Sequence, residues 1–142
     1  LRIASVQPVD IRAPVGSCGY WSLIASIKKR PGEGKNAVAA LLSVAEVKFV
    51  IVTDEDIDIY DPDELDWAIA FRVQANQDAI ILEGARAKHI DPSVKSWLLG
   101  KGGLPTTAKL GIDATIPEGV PNILYRRIKN YGRDRFKLED FE

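Results

Sequence analysis

A run of carboxylates follows a short apolar segment near the middle of the chain. The segment Phe49–Val52 consists of β-branched and aromatic residues, and the acidic side chains after it are Asp54, Glu55, Asp56, Asp58, Asp61, Asp63, Glu64 and Asp66. Carboxylate oxygens are the ligands that hard divalent cations prefer, so the run is a candidate metal site. It lacks the glycine and the terminal glutamate of a calcium loop. The favoured alternative is that these carboxylates cap a helix, pair with Lys or Arg, or face water, and we therefore predict no metal ligands here.

Three other features carry side chains or backbone suited to chemistry. The glycine-rich stretch Gly100–Gly103 precedes Thr106 and Thr107 and resembles a phosphate cradle, but it lacks P-loop spacing, and a flexible lid is the preferred interpretation. His89 is the only histidine, which excludes a site built from several histidines. Cys18 is the only cysteine and has no neighbouring histidine motif, so a structural thiol is expected. The sequence therefore predicts no catalytic residue in this chain.

The acidic run lies between a predicted strand and a predicted helix. Lys48–Thr53 has the continuous apolar pattern of a strand buried on both faces. Asp61 is a suitable N-cap, Pro62 fits the first helical position, and Glu64 completes a capping box. The predicted helix, Asp61–Val73, carries apolar residues around most of its circumference and is therefore expected to be well covered.

Further elements complete the predicted fold, an α/β domain with a mixed β-sheet flanked by helices in a single layered unit. We predict that residues 1–13 form a linker or an edge strand and that 84–108 is a long irregular loop. A loose charged tail is expected over 132–142. The remaining predicted strands are Tyr20–Lys28, Gln77–Glu83 and Lys109–Ala114, and the remaining helices are Lys35–Ala45 and the basic, amphipathic Pro121–Tyr131.

Composition limits the class of protein. The 142 residues suit one domain, and 46% hydrophobic with 27% charged residues is ordinary for a globular protein. A net charge of −1 argues against a general nucleic-acid binder. No apolar stretch reaches the length of a membrane span, and no signal peptide opens the sequence. A single cysteine suits a reducing compartment, so we expect a cytoplasmic location. The absence of Met suggests a piece of a longer protein.

Four ordered motifs resemble the C-terminal domain of UbiD-type decarboxylases, between about Pro14 and Pro117. The motifs are GSCGYWSLIASIKKRPGEGKNA, KFVIVTDEDIDIYDPDELDWAIAFRVQ, GARAKHIDPS and TTAKLGIDAT. The wording is most similar to archaeal-type members, including those like anhydromevalonate phosphate decarboxylase. The resemblance implies reversible decarboxylation of aromatic or α,β-unsaturated acids with prenylated FMN, a divalent metal (Mn or Mg) and K. It also implies that the acid–base carboxylates and metal ligands belong to a preceding flavin-binding domain.

The resemblance assigns this domain to oligomer assembly and to one wall of the active site. Ile90 falls at a substrate-lining aliphatic position and Lys88 at a neighbouring aromatic one, with Arg86 and His89 beside them. Lys88 would favour a charged substrate group such as a phosphate, and the equal alternative is an exposed lysine without a ligand. Lys109 also matches a family position, where ligand binding or an ion pair with the acidic loop would explain it. The resemblance implies no cofactor in this chain alone, no activity of the isolated chain, and partners that are the flavin-binding domain and further copies.

Two other functions remain open from the sequence. The chain is alternatively a stand-alone interaction subunit that assembles with a separate catalytic chain. A weaker alternative is a phosphate-ligand module that uses Lys88, Lys101 and Lys109.

Overall fold

The computed structural model describes residues 5–94 and 105–125, and it contains one mixed sheet with helices. The strands are β1 Gln7–Arg12, β2 Ser22–Lys28, β3 Phe49–Asp54, β4 Ala79–Arg86 and β5 Thr106–Ala114. The helices are α1 Glu33–Leu42, α2 Pro62–Arg72 and the short α3 Ala75–Asp78, and two 3-10 turns cover Val15–Ser17 and Asn122–Tyr125. The predicted α/β fold class is confirmed.

The sheet has the strand order β1-β2-β3-β5-β4. Its three central strands, β2, β3 and β5, are parallel, whereas β1 and β4 are antiparallel edge strands. Because parallel strands end at the same edge of a sheet, the loops after β2, β3 and β5 converge there. The amino-terminal ends of the same strands lie at the opposite edge, near the end of β4.

The two faces of the sheet are covered differently. On one face α1 packs over a core that includes Val50, Val52 and Ile27, all nearly inaccessible. Gly111 of β5 allows this contact, because a Cβ there would collide with Val38 of α1. On the other face α2 packs over Ile112 in a smaller cluster. On the α1 side the apolar run of β3 is buried, as its pattern predicts, at Val50 and Val52. On the α2 side the predicted burial is incomplete, because Ile51 is only partly buried and Phe49 is 49% exposed.

The start of α2 agrees with its predicted cap. Asp61 accepts a hydrogen bond from the N–H of Asp63 at 2.9 Å, and Pro62 occupies the first turn. The predicted capping box is wrong in one detail. Glu64 accepts from the N–H of Asp58 at 2.6 Å, because the N–H of Asp61 already donates to the Asp58 carbonyl at 3.1 Å.

The prediction that α2 is well covered is wrong. Of its residues only Ala68 and Arg72 are buried, and Phe71 is 64% exposed. The apolar residues of α2 surround the helix, but the sheet offers a surface to one side of it only. The helical pattern therefore predicts the helix correctly but overestimates how much of it is buried.

Two predicted boundaries also change around the segment 84–108. β4 continues through Gly84 to Arg86, because a glycine at φ 66° lets the strand pass an irregularity between Leu82 and Ala85. β5 begins at Thr106, three positions earlier than predicted. Residues 95–104, with the glycine-rich stretch Gly100–Gly103, lie outside the described residues.

The predicted ends of the chain are only partly described. An edge strand does occupy part of the stretch 1–13, as β1. Of the predicted basic helix Pro121–Tyr131, Asn122–Tyr125 forms a 3-10 turn. Residues 126–131, like the predicted tail 132–142, lie outside the described residues. Over the described ranges, no helix is both long and apolar enough to cross a bilayer.

Candidate functional site

A cavity of about 350 Å³ lies where β4 ends and β5 begins. The segment after β4 is held by a hydrogen bond from the N–H of Ala87 to the carbonyl of Pro105, at 2.9 Å. This bond keeps the two segments together at the amino-terminal edge of the parallel strands. The residues that line the cavity are Ala45, Glu46, Arg86, Ala87, Lys88, His89, Ile90 and Pro105. Four of the five candidate site residues from the sequence, all except Lys109, therefore meet at one cavity.

Lys88 makes two contacts, one with an aromatic ring and one with a carboxylate. Its Nζ lies 4.6 Å from the centre of the Tyr20 ring and 3.6 Å from Oε1 of Glu46. Both Lys88 and Glu46 are partly exposed, so the pair itself contributes at most about 1 kcal/mol to stability. The more important effect of these contacts is to orient the Lys88 ammonium group at the cavity.

The other lining residues give the cavity a mixed character. Ile90 is 66% exposed, and His89 and Arg86 are exposed as well. The site therefore presents basic side chains next to an aliphatic side chain. Such a surface suits an organic acid with an apolar body and an additional anionic group.

Lys109 has a different environment from the other candidates. It is buried, and its Nζ donates hydrogen bonds to the carbonyls of Leu42 at 2.8 Å and Val44 at 2.6 Å. These carbonyls end α1, where a cation is favoured by the unpaired acceptors and the helix dipole. Burial lowers the pKa of Lys109, and the nearby Glu46 opposes this shift. The structure thus gives Lys109 a role at the end of α1, away from the acidic loop.

A larger cleft, of about 1520 Å³, lies at the opposite edge of the sheet. It is formed by the loops that follow β2, β3 and β5, the position at which α/β proteins commonly bind ligands. Charges of both signs line it, from Lys28, Lys29, Arg30, Asp54, Glu55, Asp56, Glu64 and Glu118. Part of the acidic run of the sequence, namely Asp54, Glu55, Asp56 and Glu64, lines this cleft.

The carboxylates of the acidic run are engaged by the protein. Arg72 pairs with Asp56, Asp58 accepts from the N–H of Tyr60 at 2.9 Å, and Asp61 caps α2. Within 5–94 and 105–125, no group of three or more His, Cys, Asp or Glu side chains is arranged to hold a metal ion. Asp56, Asp58 and Asp61 thus make the kinds of pairing and capping contact that the sequence predicts.

Arg72 lies beneath the cleft and contacts two of the carboxylates that line it, Asp54 and Asp56. The sequence analysis did not identify it. Its side chain is fully buried and lies 3.7 Å from Asp54 as well as against Asp56. The guanidinium also lies 5.1 Å from the centre of the Trp67 ring. An arginine after the apolar second half of the helix, residues 67–71, and downstream of an acidic loop was the available signal. Because of burial, the pKa of Asp54 is raised, although a hydrogen bond from the N–H of Ile116 opposes the shift.

Comparison with known proteins gives the family. Residues 1–114 match the model of the 3-octaprenyl-4-hydroxybenzoate carboxy-lyase C-terminal domain. The chain therefore belongs to the UbiD family and contains its C-terminal domain.

Its relatives include anhydromevalonate phosphate decarboxylases of archaea. That of Methanothermobacter thermautotrophicus is 44% identical over 104 residues, which cover 72% of this chain and 23% of that protein. That of Archaeoglobus fulgidus is 42% identical over 106 residues, covering 73% and 23%. The chain thus spans about a quarter of the length of the curated relatives it matches.

Solved structures of UbiD-class enzymes share the fold. HmfF from Pelotomaculum thermopropionicum, in complex with FMN, has a TM-score of 0.77 at 36% identity, over 96% of this chain and 29% of that one. Vanillic acid decarboxylase from Sedimentibacter hydroxybenzoicus, in its open form, has a TM-score of 0.68 at 26% identity, over 91% and 28%.

Proposed function

We propose that this chain forms one wall of the active site, and subunit contacts, in a UbiD-type carboxy-lyase that decarboxylates an α,β-unsaturated or aromatic acid with prenylated FMN. The observation that carries the proposal is the cavity in which Arg86, Lys88, His89 and Ile90 meet. Membership of the family indicates the class of reaction, and the related enzyme HmfF has a solved structure in complex with FMN.

The residues of this chain suit the substrate side of such a site better than the flavin side. Some family members carry a basic residue against the flavin phosphate, and Leu42 stands near that position here. Leu42, the last residue of α1, is only 2% exposed and its side chain packs in the core, so it offers no contact to a phosphate. We therefore assign the flavin, together with its Mn or Mg and K ions, to the preceding domain.

The proposed mechanism divides the work between two domains. When bound, prenylated FMN supplies the electron-accepting group that makes loss of the carboxyl group feasible. In this chain, Ile90 contacts the apolar body of the acid and helps to exclude water. Lys88, oriented by Tyr20 and Glu46, attracts a second anionic group of the substrate. The proton is returned by a carboxylate of the preceding domain, so the isolated chain is expected to be inactive.

The substrate class follows from the basic side chains of the cavity. Archaeal relatives are named for the decarboxylation of anhydromevalonate phosphate, an acid with a phosphate group. The cations at Arg86 and Lys88 give such a phosphate a partner within this wall. We propose a phosphorylated unsaturated acid as the substrate.

The experiment that tests the proposed function uses the intact protein as its gene encodes it. The protein is loaded with prenylated FMN, Mn and K, and release of carbon dioxide is measured from a panel of unsaturated and aromatic acids, with and without a phosphate. We expect turnover of a phosphorylated acid. No turnover of any acid by protein with its full complement of flavin would contradict the proposal, and would favour the alternative of a non-catalytic interaction subunit.

A further inference from the structure

Three apolar side chains form an open row across the sheet. Phe49 of β3 pairs in register with Leu110 of β5, and Leu110 pairs with Ile81 of β4. Phe49 is 49% exposed, Ile81 is 66% exposed, and Leu110 between them is partly buried. We call Phe49, Leu110 and Ile81 the apolar row.

The apolar row lies on the face of the sheet that α2 covers incompletely. Side chains two positions apart on a strand share a face, so Phe49 points to the same side as Ile51, and Leu110 to the same side as Ile112. Ile51 and Ile112 pack against the buried cluster of Ile57, Ala68 and Ala114 beneath α2. The helix therefore covers one row of the sheet and leaves the adjacent row open.

An open row of this kind is unusual in the middle of an α/β sheet. Parallel strands in such folds are normally covered on both faces, and their continuous apolar sequences reflect this. Phe49 begins such a sequence on a central strand, and its partner Leu110 lies on another. Adjacent large apolar side chains that stay exposed commonly mark a surface for another protein or domain.

The apolar row lies at the same edge of the sheet as the smaller cavity. Lys48, which precedes Phe49, binds the carboxylate of Asp91 at 2.9 Å and the hydroxyl of Ser93 at 2.6 Å. These residues directly follow Ile90 of the cavity wall. The Lys48 Nζ also lies 5.9 Å from the centre of the Phe49 ring, so the segment that follows the cavity wall lies beside the row. Whatever closes the cavity therefore also approaches the row.

We propose that the apolar row is the docking surface for the flavin-binding domain of the intact UbiD-type protein, an inference that rests on the proposed function. The chain corresponds to about a quarter of its curated relatives, at 23% of their length, so the proposed enzyme contains a much larger part that is able to cover it. The cavity wall has to face the flavin for catalysis. The proximity of wall and row then brings that same domain over Phe49 and Ile81.

Thiol labelling in the intact protein tests the proposal without reference to activity. Ile81→Cys is labelled with a maleimide, and the rate is measured peptide by peptide in the native protein and in denaturant. Val15→Cys is the matched control, because Val15 is 91% exposed and lies outside the row. We expect the thiol introduced at Ile81 to be protected about tenfold or more relative to the control.

A photocrosslinker attached at the same thiol identifies what covers the row. Crosslinks to peptides of the preceding flavin-binding domain support the proposal. Rapid labelling at Ile81, crosslinks to a second copy of this domain, or crosslinks that do not reach the preceding domain overturn it. If the wild-type protein shows no decarboxylation but the thiol is protected and crosslinked as expected, the proposed reaction fails while the docking surface stands.

Discussion

Both terminal N–H groups of the Arg72 guanidinium donate hydrogen bonds to the carboxylate of Asp56, at 3.0 Å and 2.5 Å. This bidentate contact ties the last turn of α2 to the acidic loop that follows β3. Arg72 is completely buried, whereas the Asp56 side chain is 47% exposed. The Asp56 carboxylate therefore reaches the solvent of the larger cleft, while Arg72 holds it from the buried side.

Replacement of Arg72 by Leu removes the charge but retains an apolar side chain against Trp67. We expect the free energy of unfolding to fall by about 3 kcal/mol, because Asp54 and Asp56 lose their buried cationic partner. Urea unfolding of the chain measures this loss. Arg30→Leu is the matched control, since its side chain is 75% exposed and its removal is expected to change stability little. Equal effects of the two substitutions would contradict the assigned role of Arg72.

The Asp54 carboxyl predicts one sign of pH dependence. Burial raises the pKa of Asp54 above its ordinary value of 3.8, so the folded chain binds this proton more tightly than the unfolded chain does. Stability from this group therefore falls as pH rises through the interval between 3.8 and the raised pKa. Asp54→Asn removes the effect. The wild-type free energy of unfolding minus that of the variant is expected to decrease with rising pH in urea titrations, and an increase would contradict the prediction.

Asp91 predicts the opposite sign and serves as the comparison. Burial alone would raise the pKa of Asp91, but hydrogen bonds from Lys48 and Ser93 outweigh it and lower the pKa below 3.8. The stability that Asp91 contributes is present above that value and is lost as pH falls through the lowered pKa. For Asp91→Asn, the difference between wild type and variant is therefore expected to grow as pH rises over the same titration. Parallel slopes for the two variants would show that one of the assigned shifts is wrong.

Gly111 predicts a steric effect at the contact between β5 and α1. A methyl group there would collide with the side chain of Val38, so Gly111→Ala is expected to destabilise the chain by about 1–3 kcal/mol. Gly16→Ala is the matched control, because a Cβ at Gly16 would meet no atom within 4 Å. Thermal unfolding compares the two variants. A Gly111→Ala chain as stable as the control would mean that α1 does not pack closely on β5.

Substitution of Lys109 distinguishes a structural role of this residue from a role in ligand binding. Lys109→Met keeps the aliphatic length and removes the ammonium group that donates to Leu42 and Val44. We expect a loss of about 2 kcal/mol in the free energy of unfolding, because charged hydrogen bonds at a helix end are lost. In the intact enzyme, KM for the acid should stay unchanged once the folded fraction is taken into account. A raised KM without loss of stability would instead place Lys109 in the binding site.

The sequence was sufficient for the elements whose signals are local. The apolar run of β3, the Asp61–Pro62 start of α2 and the α/β class all follow from residues within a few positions of each other. The meeting of Arg86, Lys88, His89 and Ile90 at one cavity was implied by family resemblance, and their contact with substrate stays a prediction.

Long-range contacts account for what the sequence did not predict. Arg72 finds its partner sixteen positions upstream across a loop, and no periodicity indicates such a pair. Glycine is typical of loops, but Gly84 lies within β4, where its positive φ allows the irregularity between Leu82 and Ala85. The incomplete cover of α2 depends on what packs against it, which a helical pattern does not specify.

The proposed contact between the segment 86–90 and the substrate is tested by steady-state kinetics of the intact, flavin-loaded protein with Lys88→Gln, and Arg30→Gln is the control. We expect Lys88→Gln to raise KM for a phosphorylated acid about tenfold or more, to leave KM for the acid without the phosphate within about twofold, and to leave the thermal midpoint unchanged. Equal KM values for wild type and Lys88→Gln with the phosphorylated acid would contradict it.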